Sequence, residues 1–169
     1  MMLIAQLIGI AAFFVGIYGF LQKDDIRFRV LMALYCFVMA VHFFLLGTQG
    51  TAVNVAINGI RNLVSIKSKS KWMMLAFIGL ILMMAVPNIE QWYEIPPVIG
   101  SLLTSWALFS ITGVPLRLIL LSSSCCWLLH NVLAGSIGGS LIEASFVVSN
   151  GISIYRMIKE SQVTPAAQG

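Results

Sequence analysis

The sequence predicts an all-α, polytopic membrane protein with seven transmembrane helices, arranged as two parallel three-helix repeats joined by one linker helix (3+1+3). Three observations support this fold class: the composition, an internal repeat at a fixed offset, and the placement of the basic residues. Of the 169 residues, 59% are hydrophobic and only 9% are charged, which leaves too little polar surface for a soluble domain. The chain is therefore predicted to lie in a lipid bilayer.

The internal repeat is visible as a self-match without gaps. Adding 88 to each residue number superposes segment 29–66 on segment 117–154. The informative matches are Arg29 with Arg117, His42 with His130, and Asn62 with Asn150. The chain has only 2 histidines, and the shift superposes them. Because rare polar residues match, and not only apolar ones, a duplicated structural unit is favoured.

The first apolar run, 2–21, is long enough to cross a hydrocarbon core of roughly 30 Å at about 1.5 Å per residue. It is predicted to be a retained helix and not a cleaved signal peptide, because basic residues follow it and none precedes it. Its glycines at positions 9, 16 and 19 are predicted to allow close helix packing.

Six further runs follow, each ended by a turn or a charged segment. The second ends in an uncharged Gly-Thr-Gln-Gly turn, the third at a basic cluster, and the fourth near Pro87. The fifth ends at Gly113-Val-Pro115, the sixth at a second uncharged glycine turn, and the seventh at Arg156. The predicted bounds are 30–47, 50–66, 72–87, 97–112, 116–134 and 138–155.

The basic residues predict the orientation. The connectors after helices 1, 3 and 5 and the C-terminal end hold all of them except Arg61, which lies inside helix 3. They are Lys23, Arg27, Arg29, Lys67, Lys69, Lys71, Arg117, Arg156 and Lys159. Since the opposite connectors carry no Lys or Arg, the positive-inside rule predicts a periplasmic N-terminus and a cytoplasmic C-terminus.

The odd number of helices explains the linker. A three-helix unit that enters from outside ends inside, so one more crossing is needed before a second unit can start in the same orientation. The predicted parts are a first repeat over 1–68, a linker helix with its outer connector over 69–92, a second repeat over 93–158, and a disordered cytoplasmic tail over 159–169. Duplications of this type place a solute pathway between the repeats.

This architecture resembles that of the SWEET sugar transporters and their PQ-loop (MtN3-like) superfamily. More closely, residues 2–158 are similar to the bacterial inner-membrane YgjV family, which is associated with that superfamily. The resemblance implies an inner-membrane location and a transport function, and it implies that Asn62 and Asn150 face a central cavity. The chain departs from SWEETs in its hinge prolines: helices 1 and 2 have none, and Pro96, Pro97 and Pro115 lie at helix ends.

Polar residues within helices 3 and 7 are the candidates for a solute site. Asn54, Asn58 and Asn62 recur every four residues and so share one helix face. Phe146 and Asn150 form a related stripe on helix 7. If the repeats face each other, the two stripes line one cavity. The alternative is hydrogen bonding between helices, worth roughly 0.6–2 kcal/mol per contact in membranes.

Four ionisable residues are candidates for coupling or gating, each with an alternative. Glu143 is interpreted as a proton or cation site, or as a vestibule or ion-pair residue. Arg61 either extends to the cytoplasmic surface or binds an anion at the inner mouth. His42 and His130 either form symmetric hydrogen bonds to facing helices or act with Glu143 as a pH-sensitive outer gate.

The function predicted from these observations is uniport or proton-coupled transport of a small polar solute. The alternative is a non-transporting interaction or sensory protein of the same fold. The sequence shows no catalytic set, so no enzymatic activity is expected, and neither a cofactor nor a metal is expected. Without a basic patch interleaved with aromatic residues, no nucleic-acid partner is expected. The bilayer and the solute are the expected partners, and a homo-oligomer remains open.

Overall fold

The computed structural model of the protein describes residues 2–20, 22, 25–68, 70–111 and 113–163. These residues form seven α-helices and no strand. The helices are α1 Met2–Phe20, α2 Asp25–Leu45, α3 Gln49–Val64, α4 Lys71–Leu80, α5 Ile95–Ser110, α6 Gly113–Leu133 and α7 Ile137–Val163. The prediction of a seven-helix, all-α membrane protein is confirmed.

Helix α4 continues beyond its regular part. A π turn, Ile81–Ala85, and a 3-10 turn, Val86–Asn88, extend it, and a second 3-10 turn, Trp92–Glu94, leads into α5. Pro87 supplies no backbone N–H and its ring crowds the preceding turn, so regular α-helical hydrogen bonding ends before it.

Four segments are long and apolar enough to cross a bilayer: Met2–Gly19, Lys71–Asn88, Gly113–Leu133 and Ile137–Lys159. Helix α2 adds a shorter apolar stretch, Arg29–Leu45. Helices α3 and α5 have 16 residues each, or roughly 24 Å at the usual rise per residue. Large apolar side chains such as Phe14, Trp72 and Val148 remain exposed on the outer faces, where lipid would cover them.

The helix bounds agree with the predicted runs to within a few residues, with two larger differences. Helix α2 begins at Asp25 and not at 30, because the charged residues near its start are helical and do not interrupt it. Helix α7 continues to Val163, past the predicted end of the second repeat at 158. Residues 164–169 of the predicted tail lie outside the described residues.

The 88-residue offset recurs in the helix bounds and in the turns. Helices α2 and α6 begin and end at positions that differ by 88, and so do the starts of α3 and α7. Gly47 and Gly135, which follow α2 and α6, both have a positive φ, of 80° and 69°. This left-handed conformation is the usual end of a helix at glycine.

The two histidines make equivalent hydrogen bonds. His42 Nδ1 donates to the backbone oxygen of Ala5 at 2.6 Å, and His130 Nδ1 donates to that of Tyr93 at 2.7 Å. Ala5 and Tyr93 also differ by 88, so the shift relates both ends of each bond. This conserved geometry inside one chain indicates that the two halves share one fold.

Six helices form a closed ring in the order α1, α2, α3, α5, α6, α7, in which α7 packs against α1. The shift of 88 converts the α1–α7 contact into the α5–α3 contact. The ring therefore has approximate two-fold symmetry about an axis that runs along the helices. Helix α4 has no counterpart under the shift and packs outside the ring, against α3 and α5.

Candidate functional site: a cavity between the repeats

A cavity of about 710 Å³ lies inside the ring, with lining residues from α2, α3, α5, α6 and α7. We call the end that contains Arg29 and Arg117 the basic end, and the end with the glycine turns at Gly47 and Gly135 the turn end. Since the cavity is bordered by both repeats, it occupies the position that the duplication predicts for a solute pathway.

Six of the nine predicted site residues line this cavity, and the other three do not. The lining residues are Asn58, Asn62, Asn150, Phe146, Glu143 and Arg61. The residues outside it are Asn54, His42 and His130, which are all fully buried. The cavity thus brings together candidates from α3 and α7, which lie on opposite sides of the ring.

The three asparagines of α3 do not act as one stripe. Asn58 Nδ2 donates to Ser101 Oγ at 2.8 Å, and Asn62 Nδ2 lies 3.8 Å from Cys36 Sγ. Asn54 does not line the cavity, and its two amide atoms have no hydrogen-bond partner among the described residues. A step of four residues overshoots one turn by about 40°, so Asn54 and Asn62 point about 80° apart.

Two arginines related by the repeat border the cavity at the basic end. Arg29 Nη1 donates to Ser65 Oγ at 2.6 Å, and Arg117 Nη1 donates to Asn150 Oδ1 at 3.5 Å. Their match across the repeat and their role in membrane orientation were predicted from the sequence, but their place in the cavity was not. The available signal was that a charged residue, and not only an apolar one, was matched between the repeats.

Glu143 is the only carboxylate among the described lining residues. It is 7% exposed, and the side chain of Ser124 hydrogen-bonds to it. No Lys, Arg or His in the described ranges forms an ion pair with it. The acid therefore lies inside the protein with a hydroxyl partner and with the cavity as its route to water.

Arg61 is buried and turned towards the centre of the ring. It is 8% exposed, and its Nη1 donates to Ser105 Oγ of α5, so it connects the two repeats. The interpretation that Arg61 extends to the membrane surface is wrong, because a partner on the neighbouring helix holds the guanidinium inside.

An aromatic layer, formed by Phe43, Trp127 and His130, closes the cavity at the turn end. The Phe43 ring centroid lies 5.1 Å from that of His130 and 6.4 Å from that of Trp127. Phe43 is 1% exposed, whereas Gly113, Arg117 and Ser149 at the basic end are exposed. The structure is thus open at the basic end and closed at the turn end.

His42 adds a bond between the repeats next to this layer. Its Nε2 lies 2.7 Å from Ser136 Oγ, in the turn between α6 and α7. The repeat equivalent of Ser136 is Thr48, whose hydroxyl donates to the backbone oxygen of Phe43 at 3.2 Å. His130 Nε2 consequently has no partner among the described residues. Among the described residues, neither histidine is hydrogen-bonded to Glu143, so the suggested partnership is not present while the turn end is closed.

Two further residues that the sequence pattern did not identify hold the ring together at the turn end: the buried Glu94 and the half-buried Gln6. Glu94 Oε2 accepts a hydrogen bond from the backbone N–H of Thr51, at 2.9 Å, in the first turn of α3. Its repeat equivalent, Gln6, accepts one from the backbone N–H of Ile137 at 3.1 Å, at the start of α7. Each repeat therefore caps the third helix of the other.

The described residues contain no group of three or more His, Cys, Asp or Glu side chains placed to hold a metal ion.

Comparison with known proteins agrees with a membrane-embedded helical protein. Residues 3–161 match the family model Imp-YgjV, described as bacterial inner membrane protein. The chain is 40% identical over 153 residues to Inner membrane protein YgjV of Escherichia coli (strain K12), which covers 90% of this chain and 84% of that protein. No solved structure matches it. The chain belongs to the YgjV family of bacterial inner membrane proteins.

Proposed function

We propose that this member of the YgjV family carries a small polar solute across the inner membrane by alternating access, as a uniporter or with protons. The observation that supports the proposal is the polar-lined cavity of about 710 Å³ between two parallel three-helix repeats. Transporters built from such repeats hold their solutes at the repeat interface. The SWEET-like architecture of two repeats and a linker helix is part of this proposal.

The distribution of charge supports an orientation for the cavity. Exposed basic residues of the described chain, including Arg27, Lys67 and Lys71, gather at the basic end. By the positive-inside rule this end faces the cytoplasm, with a periplasmic N-terminus and a cytoplasmic C-terminus. The cavity is then open to the cytoplasm and sealed from the periplasm by the aromatic layer.

The motion that transport requires can be named from the contacts at the turn end. To open there, Phe43 must separate from Trp127 and His130, and the bond between His42 and Ser136 must break. These contacts join one repeat to the other. Rigid-body rocking of the repeats would break them without bending a helix, and therefore without the hinge prolines of SWEETs.

Glu143 is the group best placed to couple protons to this motion. A buried carboxylate without a cationic partner is less costly when it is protonated. In the structure described here, which is open at the basic end, Glu143 borders the cavity and can exchange a proton with water there. Once the solute or the motion separates it from water, the proton is carried with the solute.

The alternative, a non-transporting interaction or sensory protein, requires a dry core in which the polar residues satisfy one another. Asn58 Oδ1 and both amide atoms of Asn54 are buried and have no hydrogen-bond partner in the described structure. The polar residues of α3 therefore do not satisfy one another, as they would in a dry packed core. This observation favours transport.

Alternating access predicts that lining positions react from both sides of the membrane. In a cysteine-free background, single cysteines at Asn58, Asn62 and Asn150 would be treated with membrane-impermeant thiol reagents in right-side-out and inverted vesicles. We expect fast labelling from the cytoplasmic face and slower labelling of the same positions from the periplasmic face. Labelling from neither face, in folded protein, would exclude a solute pathway.

The aromatic layer predicts which residue limits access from the periplasm. Phe43→Ala is expected to raise periplasmic labelling of a cysteine at Asn58 by roughly tenfold or more, because the substitution opens a cavity in the seal. Phe44→Ala is the matched control, since Phe44 is 61% exposed on the outer surface. Unchanged cytoplasmic labelling would show that the variants fold, and equal periplasmic rates for the two would contradict the assignment of the seal.

A further inference from the structure

We propose that the solute of this cavity is a small oxyanion, carrying a carboxylate or phosphate group, which binds at Arg61 with Arg117 and the amides of Asn62 and Asn150. The inference rests on the proposed transport function and specifies its solute class. It is carried by the geometry of Arg61 and by the charges that line the cavity.

Arg61 presents donors that the protein does not use. A guanidinium has five N–H groups, and one nitrogen is bonded to Ser105 Oγ. The residue is more than nine-tenths buried and lines the cavity, yet no carboxylate of the described chain forms an ion pair with it. A buried charge is normally paired. The missing partner is an anion that can enter the cavity.

The charges around the cavity are predominantly positive. Its described lining residues include three arginines, Arg29, Arg61 and Arg117, but one acid, Glu143. Arg29 has contacts of its own at the mouth, so Arg61 and Arg117 carry the argument. A wall with this excess attracts anions from solution and stabilises them inside a site of low dielectric constant. A neutral polyol would leave the buried guanidinium without a counter-charge.

The amide groups make the site selective as well as charged. Arg117 and Asn150 are already in contact at the basic end, with 3.5 Å between Nη1 and Oδ1. Asn62 lines the same cavity one residue after Arg61. Guanidinium and amide N–H groups together suit the oxygens of a carboxylate or phosphate.

The repeat places this site on one side of the axis. The residue that the shift of 88 matches to Arg61 is Ser149, which lines the cavity but has no charge. Duplication of the helices has therefore not duplicated the cation. One oxyanion for each protein molecule is the expected stoichiometry.

The test measures the charge preference of the cavity directly. The protein carries Cys36→Ser, Cys125→Ser, Cys126→Ser and the reporter Ser149→Cys, which lines the cavity without belonging to the proposed site, and it is reconstituted in phosphatidylcholine vesicles. Modification rates are measured from the side of the basic end with a negatively charged sulfonatoethyl and a positively charged trimethylammonioethyl methanethiosulfonate. Their ratio is normalised to that of a free thiol in the same buffer.

We expect the normalised ratio to favour the negative reagent by roughly tenfold, the effect of a unit charge several ångströms away in a partly hydrated site. Arg61→Gln should remove most of that preference, and Arg61→Lys should retain it. Lys67→Gln, which removes an exposed positive charge from the same end, should leave it unchanged. A ratio near that of the free thiol, or a ratio insensitive to Arg61→Gln, would overturn the inference.

Competition identifies the kind of anion. At constant ionic strength, phosphate or succinate at millimolar concentration should slow modification of the reporter in the protein that retains Arg61. The same anions should have no effect in the Arg61→Gln variant. Slowing by phosphatidylglycerol in the vesicles, with no effect of the soluble anions, would assign the site to a lipid headgroup and overturn the solute. A reporter that reacts readily but without charge preference rejects only the anion, whereas one that reacts from neither side rejects the transport function itself.

Discussion

Gly138→Ala is expected to destabilise the protein severely, by about 3 kcal/mol or more, because overpacking against rigid backbone cannot be relieved by a rotamer change. A Cβ atom at Gly138 would lie 2.0 Å from the backbone oxygen of Gly9 and 2.7 Å from the nitrogen of Ile10. The start of α7 thus contacts the backbone of α1 directly. Any side chain there forces the two helices apart and opens the ring at the α1–α7 contact.

Gly151→Ala, further along the same helix, is the control. Nothing lies within 4 Å of a Cβ atom at Gly151, so the substitution should be neutral or stabilising by up to about 1 kcal/mol, through better helix propensity. The midpoint of thermal unfolding in detergent, followed by size-exclusion chromatography of the surviving protein, distinguishes the two. Equal midpoints for both variants would contradict the close approach of α1 and α7.

Glu94→Ala is expected to lower the free energy of unfolding by about 3 kcal/mol, because several backbone N–H donors lose the same charged acceptor. The carboxylate of Glu94 is fully buried and accepts from the backbone N–H groups of Thr51, Glu90 and Gln91, at 2.9, 3.1 and 3.1 Å. Its negative charge also lies at the positive N-terminal end of α3. Without it, both the connector before α5 and the start of α3 lose their anchor.

Glu94→Gln should give an intermediate loss, because Gln6 performs the equivalent task at α7 with one accepting oxygen. Glu90→Ala tests whether the loss is specific, since Glu90 is an exposed acid in the same connector and its substitution should change stability by less than about 0.5 kcal/mol. The same unfolding measurement applies. A loss no larger for Glu94→Ala than for Glu90→Ala would show that Glu94 does not anchor α3.

The fold was largely predictable because the features that determine it are local and can be recognised one after another along the sequence. Apolar length, turn residues and the placement of Lys and Arg define the helices, and the offset of 88 relates them. The ring results because the two repeats contact each other in two equivalent places, α1 with α7 and α5 with α3. The start of α2 and the end of α7 were harder to predict, because charged residues at a membrane surface do not by themselves end a helix.

The site was only partly predictable, because membrane helices are apolar on nearly every face and periodicity then does not distinguish the inside from the outside. Asn54 shares a spacing with Asn58 but not a cavity. The inward direction of Arg61 depends on Ser105, which is on another helix. Glu94 and Gln6 are equivalent in position and role but differ in residue type, so they do not appear as an identical pair at the offset of 88.

The most direct test of transport through this cavity is the distance between repeat-related positions at its two ends. Spin labels at Phe44 and Val132 report on the turn end, and labels at Val30 and Leu118 on the basic end; all four side chains are exposed, and each pair differs by 88. Pulsed electron paramagnetic resonance in liposomes, with and without phosphate, gives both distance distributions. Alternating access predicts a short and a long distance at each end. When the long distance at the turn end becomes more populated, the short distance at the basic end should become more populated as well. One unchanging distance at both ends would contradict alternating access and leave a static scaffold.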